Sequence, residues 1–200
     1  MNISTRITAA ALCIAPALLG AQATTPPPVA EQIAAAVQPL PAAMRDGATV
    51  MGYKTGTKLE IIRPGTNGMR CLALYVTRPD FHVACYHDSL EPFMLRGREI
   101  RETGVTNIRQ IDSVRFAEIT SGKLKMPAQG MLYTLTGKKD VFNAATGAIT
   151  GAQLLAVLYI PGATTASTGL PTAPSGGGPW LMNGGTPKAH VMMVGTMGGQ

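Results

Sequence analysis

The sequence predicts an α+β fold, and three observations support this prediction. Alternating or β-rich runs occupy 48–53, 58–63, 69–75 and 81–87, separated by turn dipeptides. A stretch with helical spacing of apolar residues follows at 88–103. The last 40 residues are rich in proline and glycine. We therefore expect a mostly antiparallel sheet of about five to seven strands, one well-defined amphipathic helix and an irregular C-terminal segment.

The first 23 residues are typical of a secretory signal peptide. A short polar segment with Arg6 precedes the apolar run 9–19, and a small-x-small cleavage site, Ala-Gln-Ala, occupies 21–23. The apolar run is too short to span a bilayer, and Cys13 lies inside it rather than at the cleavage point. We therefore expect a secreted or periplasmic mature protein that begins near Thr24 and has neither a lipid anchor nor a transmembrane segment.

The mature chain is predicted to be one domain. Residues 24–28 form a spacer rich in threonine and proline, and 29–200 has a length suited to a single α+β domain. Alanine-rich 29–38 predicts a helix, which two nearby prolines end, and 42–46 predicts a second, shorter one. The β-rich runs that follow predict an antiparallel meander.

The helix at 88–103 is predicted from its apolar stripe, its start and its stop. Asp88 and Glu91 have capping-box spacing, Pro92 falls in the first turn, and Gly104 is a suitable C-terminal stop. The stripe consists of Leu90, Phe93, Met94 and Ile100.

The rest of the chain is predicted from weaker patterns. The segment 107–120 favours a helix in its first part, and 130–136 and 154–160 favour strands. Within the irregular segment 161–200, the island 190–194 indicates a short final strand. We expect the remainder of that segment to pack over the domain.

The hairpin between 69 and 87 carries the cysteines of the predicted mature chain. If its turn is centred on Arg78, Cys71 lies opposite Cys85 and Met69 lies opposite His87, and these four side chains share one face. Directly opposed residues approach to about 4.5–5.5 Å between Cα atoms, within the range of a disulfide. Because export favours oxidation, we predict a disulfide between Cys71 and Cys85.

Two alternatives remain for the same four side chains. Two thiolates, an imidazole and a thioether would suit a soft metal such as copper, or the thiols could be free and buried. A nucleophilic Cys–His pair is disfavoured, since His82 lies on the other strand face and His87 lies two positions from Cys85. His190 and Met192 share a face of the last predicted strand, a pattern more typical of a core than of a metal site. We therefore expect no cofactor, and we expect the histidines to be dispersed.

Motifs and charge exclude several function classes. The sequence contains no Gly-x-Ser-x-Gly, His-Glu-x-x-His or Cys-x-x-Cys motif, and its carboxylates are scattered. The formal net charge of +6 comes from dispersed cations that are not interleaved with aromatic residues, so nucleic acid is not an expected partner. The absence of a catalytic motif favours a protein that is not an enzyme.

The leading functional hypothesis is a non-enzymatic binding or structural domain of a bacterial-type cell envelope. Its basic excess suggests an anionic envelope component as partner, or another envelope protein. One alternative is a periplasmic soft-metal or redox protein that uses the hairpin residues, and another is a hydrolase whose site has no sequence signature.

Overall fold

A computed structural model describes residues 25–74 and 78–195, and their centre is one eight-stranded sheet. The strands are β1 (Thr49–Gly52), β2 (Glu60–Arg63), β3 (Met69–Leu72), β4 (Phe81–His87), β5 (Gly130–Gly137), β6 (Gln153–Tyr159), β7 (Trp180–Met182) and β8 (His190–Gly195). Their order in the sheet is β2-β1-β3-β4-β5-β6-β8-β7. The α+β class is confirmed, and the sheet has more strands than the five to seven predicted. The predicted signal peptide lies outside the described residues.

Helices cover both faces of this sheet. They are α1 (Val29–Ala36), α2 (Ala42–Arg45), α3 (Glu91–Glu102), α4 (Ile108–Thr120) and α5 (Thr165–Thr168). Residues of α1 and α2 pack in the apolar cluster that contains both cysteines, whereas α3 and α4 pack with Tyr86 and Tyr159 on the other face. Across the described ranges, every helix is too short or too polar to cross a lipid bilayer.

The connection between β2 and β3 makes one part of the predicted meander wrong. After β2, at the edge of the sheet, the chain crosses the start of β1 and enters β3 parallel to β1. The amides of Thr66 and Asn67 both donate to the Gly47 carbonyl, at 2.7 and 3.1 Å. At Gly65 the two backbones almost touch, since a Cβ there would lie 2.1 Å from the Thr49 amide nitrogen. This crossover therefore requires glycine, and the sheet is mixed rather than fully antiparallel.

The helix predicted at 88–103 begins differently from the expected capping box. A single 3₁₀ turn, Asp88–Leu90, leads into α3, whose N-cap residue Leu90 makes no side-chain cap. The Glu91 carboxylate pairs with Arg98 instead of capping the helix. Three residues of the predicted apolar stripe are fully or nearly fully buried, namely Leu90, Phe93 and Ile100.

The next helix is longer than predicted. The Asn107 side chain accepts a hydrogen bond from the Arg109 amide at 2.9 Å, which starts α4, and the helix continues to Thr120. Its buried residues are Ile111 and Arg115. Val114 and Phe116 alternate as in a strand, and this made the pattern ambiguous beyond the first part; in the helix Val114 is exposed and Phe116 is half-buried.

The C-terminal segment is more regular than predicted. The predicted strand at 190–194 is β8, a second apolar stretch at 180–182 is β7, and β8 lies between β6 and β7. The Leu181 amide donates to the Pro171 carbonyl at 2.8 Å, so the chain before β7 covers the outer edge of that strand. A broader packing of this segment over the domain remains a prediction.

Candidate functional site

The predicted disulfide joins Cys71 to Cys85, which lie directly opposite each other on β3 and β4. The Asp88 amide donates to the Gly68 carbonyl at 2.8 Å. Hydrogen-bonded and non-hydrogen-bonded residue pairs alternate along an antiparallel ladder, and the cysteine pair lies three positions from this hydrogen-bonded pair. The cysteines therefore form a non-hydrogen-bonded pair, in which the two strands approach most closely. Their Cα atoms are 4.0 Å apart, and both side chains are fully buried. The disulfide is therefore confirmed, and the alternative of free thiols is wrong.

The other two candidate residues of the hairpin also have the predicted register. Met69 lies opposite His87, with Met69 buried and His87 exposed. Since both cysteine sulfurs are in the disulfide, the thiolates of the soft-metal alternative are absent. Among the described residues, no group of three or more histidine, cysteine, aspartate or glutamate side chains could hold a metal ion.

The three histidines lie apart, as expected. His82 lies opposite Thr136 on β5, with 2.9 Å between its Nδ1 and the threonine Oγ1. His190 lies at the other end of the sheet, where its ring stacks on Tyr159 with centroids 5.1 Å apart. His87 occupies the face opposite to both. The described structure therefore brings no two histidines into one site.

Two of these histidines predict how stability depends on pH. Burial lowers the pKa of both His82 and His190 below the usual range of histidine. The unfolded chain then takes up protons near pH 6.5 that the native protein does not, so the free energy of unfolding falls as the pH drops from 7 to 5. Urea denaturation at several pH values measures this slope. We expect a shallower slope in the double variant His82→Gln/His190→Gln, and an unchanged slope would contradict the assignment.

A cleft of about 800 Å³ lies between the β1–β2 connection and the C-terminal half of α3. Its lining consists of Tyr53, Thr57, Lys58, Leu59, Arg98, Arg101, Glu102 and Thr106. Three of these residues are cationic, namely Lys58, Arg98 and Arg101, whereas Glu102 is the one carboxylate in the described lining. The excess of positive charge in a concave site favours anionic ligands.

Arg98 is held in one orientation at the side of this cleft. Its Nη1 donates to the Tyr86 hydroxyl at 2.9 Å, and its Nη2 donates to the Glu91 carboxylate at 2.7 Å. The Tyr86 hydroxyl donates in turn to Glu91 at 2.5 Å. Burial alone would lower the pKa of Arg98, but Tyr86 and Glu91 outweigh it and raise that pKa. Arg98 is therefore a fixed cation whose charge is balanced by the Glu91 carboxylate.

Arg101 is more exposed and lies beside a second, buried guanidinium. A Cβ at Gly97 would lie 2.9 Å from Arg115 Nη1 and 3.5 Å from Arg101 Nη1, so the glycine gives room for two arginines. Burial, followed by the Arg115 charge, lowers the pKa of Arg101. Within the described ranges neither Arg101 nor Lys58 forms an ion pair. An anion in the cleft would relieve this repulsion.

Arg115 holds positive charge behind the cleft. Its guanidinium lies 3.7 Å from the centroid of the Phe93 ring, and its Nη1 donates to the Phe93 carbonyl at 3.2 Å. Asp112 pairs with Arg115 and also accepts a hydrogen bond from Lys188 at 2.8 Å. Burial would raise the pKa of Asp112, but the hydrogen bonds from Lys188 and Arg115 outweigh it and lower that pKa. One carboxylate is thus shared by two cations.

Sequence reasoning missed this cleft. Arginines alternate with glutamates along 96–102, a pattern typical of a solvated helix face with local ion pairs. Two signals were present, namely the spacing of three residues between Arg98 and Arg101 and the glycine in the helix interior, Gly97, directly before Arg98. Neither signal could identify Lys58, whose element lies far away in the sequence.

Comparison with known proteins adds no relationship. No protein-family model matches the chain, and neither a curated protein nor a solved structure is significantly similar to it. The class of the protein is given by its structure alone: an α+β fold with a disulfide in its sheet and a cleft lined by cations.

Proposed function

We propose that the protein is a non-enzymatic binding protein of the cell envelope whose ligand is anionic. One observation carries this proposal: Lys58 and Arg101 line the same cleft, and neither forms an ion pair in the described part of the chain. Arg98, whose charge is balanced by Glu91, holds a fixed guanidinium at the same place. Cations that converge on a concave surface without carboxylate partners are suited to an external anion.

The disulfide supports export. Disulfides persist in secreted and periplasmic proteins and are rare in the cytosol. The bond between Cys71 and Cys85 is fully buried in the sheet, where it acts as a structural link. Together with the predicted signal peptide at 1–23, it favours a protein that is secreted or periplasmic.

The cleft has the size and chemistry of a site for a small anionic group. Its volume of about 800 Å³ lies within the range of ligand pockets, roughly 300–1,000 Å³. The planar fork of Arg101 suits carboxylates and phosphates, and Leu59 offers apolar contact to the rest of a ligand. The described lining contains no histidine or cysteine, and its one carboxylate is Glu102. This composition favours binding over acid–base or nucleophilic catalysis.

Charge reversal at Arg101 tests the proposal. We expect Arg101→Glu to weaken the binding of inorganic phosphate and of polygalacturonate by roughly tenfold or more, because a charge-assisted contact becomes repulsive. Isothermal titration calorimetry at low ionic strength measures the affinity. Lys125→Glu is the matched control, since Lys125 is exposed beyond the C-terminal end of α4 and the variant has a similar net charge.

The outcomes separate a specific site from general attraction. A loss confined to Arg101→Glu supports the cleft as the binding site. An equal loss in Lys125→Glu would show that only net charge matters, and failure of both probes to bind the wild-type protein would contradict the proposal. Thermal denaturation of both variants checks that each is folded.

A further inference from the structure

A second cavity, of about 590 Å³, lies on the face of the sheet opposite to α3. Three methionines and a histidine line it, namely Met44, Met69, Met131 and His87. Among its described lining residues, none is an aspartate, glutamate, lysine or arginine. The cavity therefore presents soft sulfur and nitrogen donors without hard oxygen anions.

Three of these donors form a row across neighbouring strands. Met69 on β3 lies opposite His87 on β4. Tyr86 lies opposite Leu132 in the β4–β5 pairing, and one more residue of this register places His87 opposite Met131. Directly paired residues have Cβ atoms about 4.5–5.5 Å apart and share a face. His87 thus lies between two thioethers on one surface.

Met44 supplies a fourth donor from a different element. It belongs to α2 and packs against the apolar cluster that contains Met69. It lines the cavity together with the three residues of the row. Donors from a helix and from three strands therefore surround one space.

We propose that this cavity binds a soft monovalent cation, Cu(I), through the thioethers of Met44, Met69 and Met131 and the imidazole of His87. Soft thioether ligands select Cu(I), and imidazole also suits copper. Hard cations prefer oxygen ligands, which carboxylates would supply. This site is separate from the anionic cleft and does not depend on the function proposed for that cleft.

The imidazole of His87 has a nitrogen suited to this role. Its Nδ1 lies 2.8 Å from Ser89 Oγ, and the Ser89 amide nitrogen lies 3.2 Å from the same Nδ1. The Ser89 amide donates to Nδ1, so the neutral ring carries its hydrogen on Nε2. A metal at Nε2 would replace that hydrogen, and Nδ1 would then donate to Ser89 Oγ instead of accepting from the amide. Nε2 lies beside Gly68, where a Cβ would approach it to 3.3 Å. The glycine leaves this nitrogen uncovered by a side chain.

The proposed ligand set differs from the one that the sequence suggested. That set relied on the thiolates of Cys71 and Cys85, which the disulfide removes. The structure retains Met69 and His87 and adds Met44 and Met131. A metal site without thiolates can be tested while the disulfide stays intact.

Silver(I) tests the site, because it shares the ligand preference of Cu(I) and needs no reductant that would break the disulfide. We expect the oxidised mature protein to bind one equivalent of Ag(I), with shifts of the methionine methyl signals of Met44, Met69 and Met131 in NMR spectra. Met69→Leu and Met131→Leu are each expected to weaken Ag(I) binding by roughly tenfold or more. Removing a residue that only supports a metal ligand already costs about this much affinity, and these variants remove a ligand itself.

Met126→Leu is the matched control, because Met126 packs in the cluster on the other face of the sheet. Leucine nearly conserves the volume of methionine, so the variants are expected to remain folded. The proposal would be overturned if wild-type protein bound no Ag(I). It would also be overturned if Met69→Leu/Met131→Leu bound as tightly as wild type, if Met126→Leu lost as much affinity, or if only methyl signals outside the cavity shifted.

Discussion

Replacing Asp112 by asparagine is expected to lower the free energy of unfolding by about 3 kcal/mol. The Asp112 carboxylate pairs with Arg115 and Lys188, whose side chains are only 5% and 16% exposed. Without this carboxylate, two cations remain largely desolvated and have no opposite charge beside them. The free-energy cost is therefore larger than for breaking an ion pair on the protein surface. Urea denaturation at pH 7 measures the change.

Two further variants show whether uncompensated charge is the cause. The triple variant Asp112→Asn/Arg115→Met/Lys188→Met removes both cations as well as the carboxylate. We expect this variant to regain part of the stability lost in Asp112→Asn, because no buried charge is then left without a partner. Glu102→Gln is the surface control, because Glu102 is exposed and forms no ion pair in the described ranges. We expect that control to change stability by less than about 0.5 kcal/mol. A loss of under about 1 kcal/mol in Asp112→Asn would contradict the burial of this network.

Removing the disulfide is expected to have an effect of similar size. The bond closes a loop with a sequence separation of 14, and such a loop corresponds to about 3 kcal/mol in the chain-entropy model. The double variant Cys71→Ala/Cys85→Ala is therefore expected to unfold at a lower urea concentration than wild type. Both sulfurs are fully buried, so the native protein is also expected to resist reduction until it unfolds.

Thiol counting provides the control for this prediction. Denatured wild-type protein is expected to show no free thiol at Cys71 or Cys85 before reduction and two after it. Wild-type protein that is unfolded, reduced and refolded under reducing conditions is expected to have reduced stability, as the double variant does. If the double variant were as stable as wild type, the disulfide would not constrain the unfolded chain as the model assumes.

The hairpin could be predicted from sequence because its information is local. Once a turn is assumed, alternation fixes every pair, and the pairings of Cys71 with Cys85 and of Met69 with His87 follow. The parallel placement of β1 and β3 depends instead on a crossover at Gly65, where the constraint is contact between two backbones. A sequence pattern marks Gly65 as a turn residue and does not show which segment crosses it.

The cleft could not be predicted because its parts are distant in sequence. Lys58 precedes an edge strand, whereas Arg98 and Arg101 belong to a helix that packs on the sheet some 40 residues later. On the helix alone, the arginines look like ion-pair partners of neighbouring glutamates, as Arg96 indeed is with Glu99. Tertiary packing decides which cations keep carboxylate partners and which do not.

An NMR titration tests the anion-binding cleft most directly. Phosphate or polygalacturonate is added to labelled protein at low ionic strength while the backbone amides and the arginine Nε–H signals are followed. We expect saturable shifts at Thr57, Lys58, Arg98, Arg101 and Thr106, which lie in the β1–β2 connection, in α3 and just after α3, around one cleft. Shifts that spread over all exposed lysines and arginines without saturation, or that cluster elsewhere, would contradict the assignment of this cleft as the binding site.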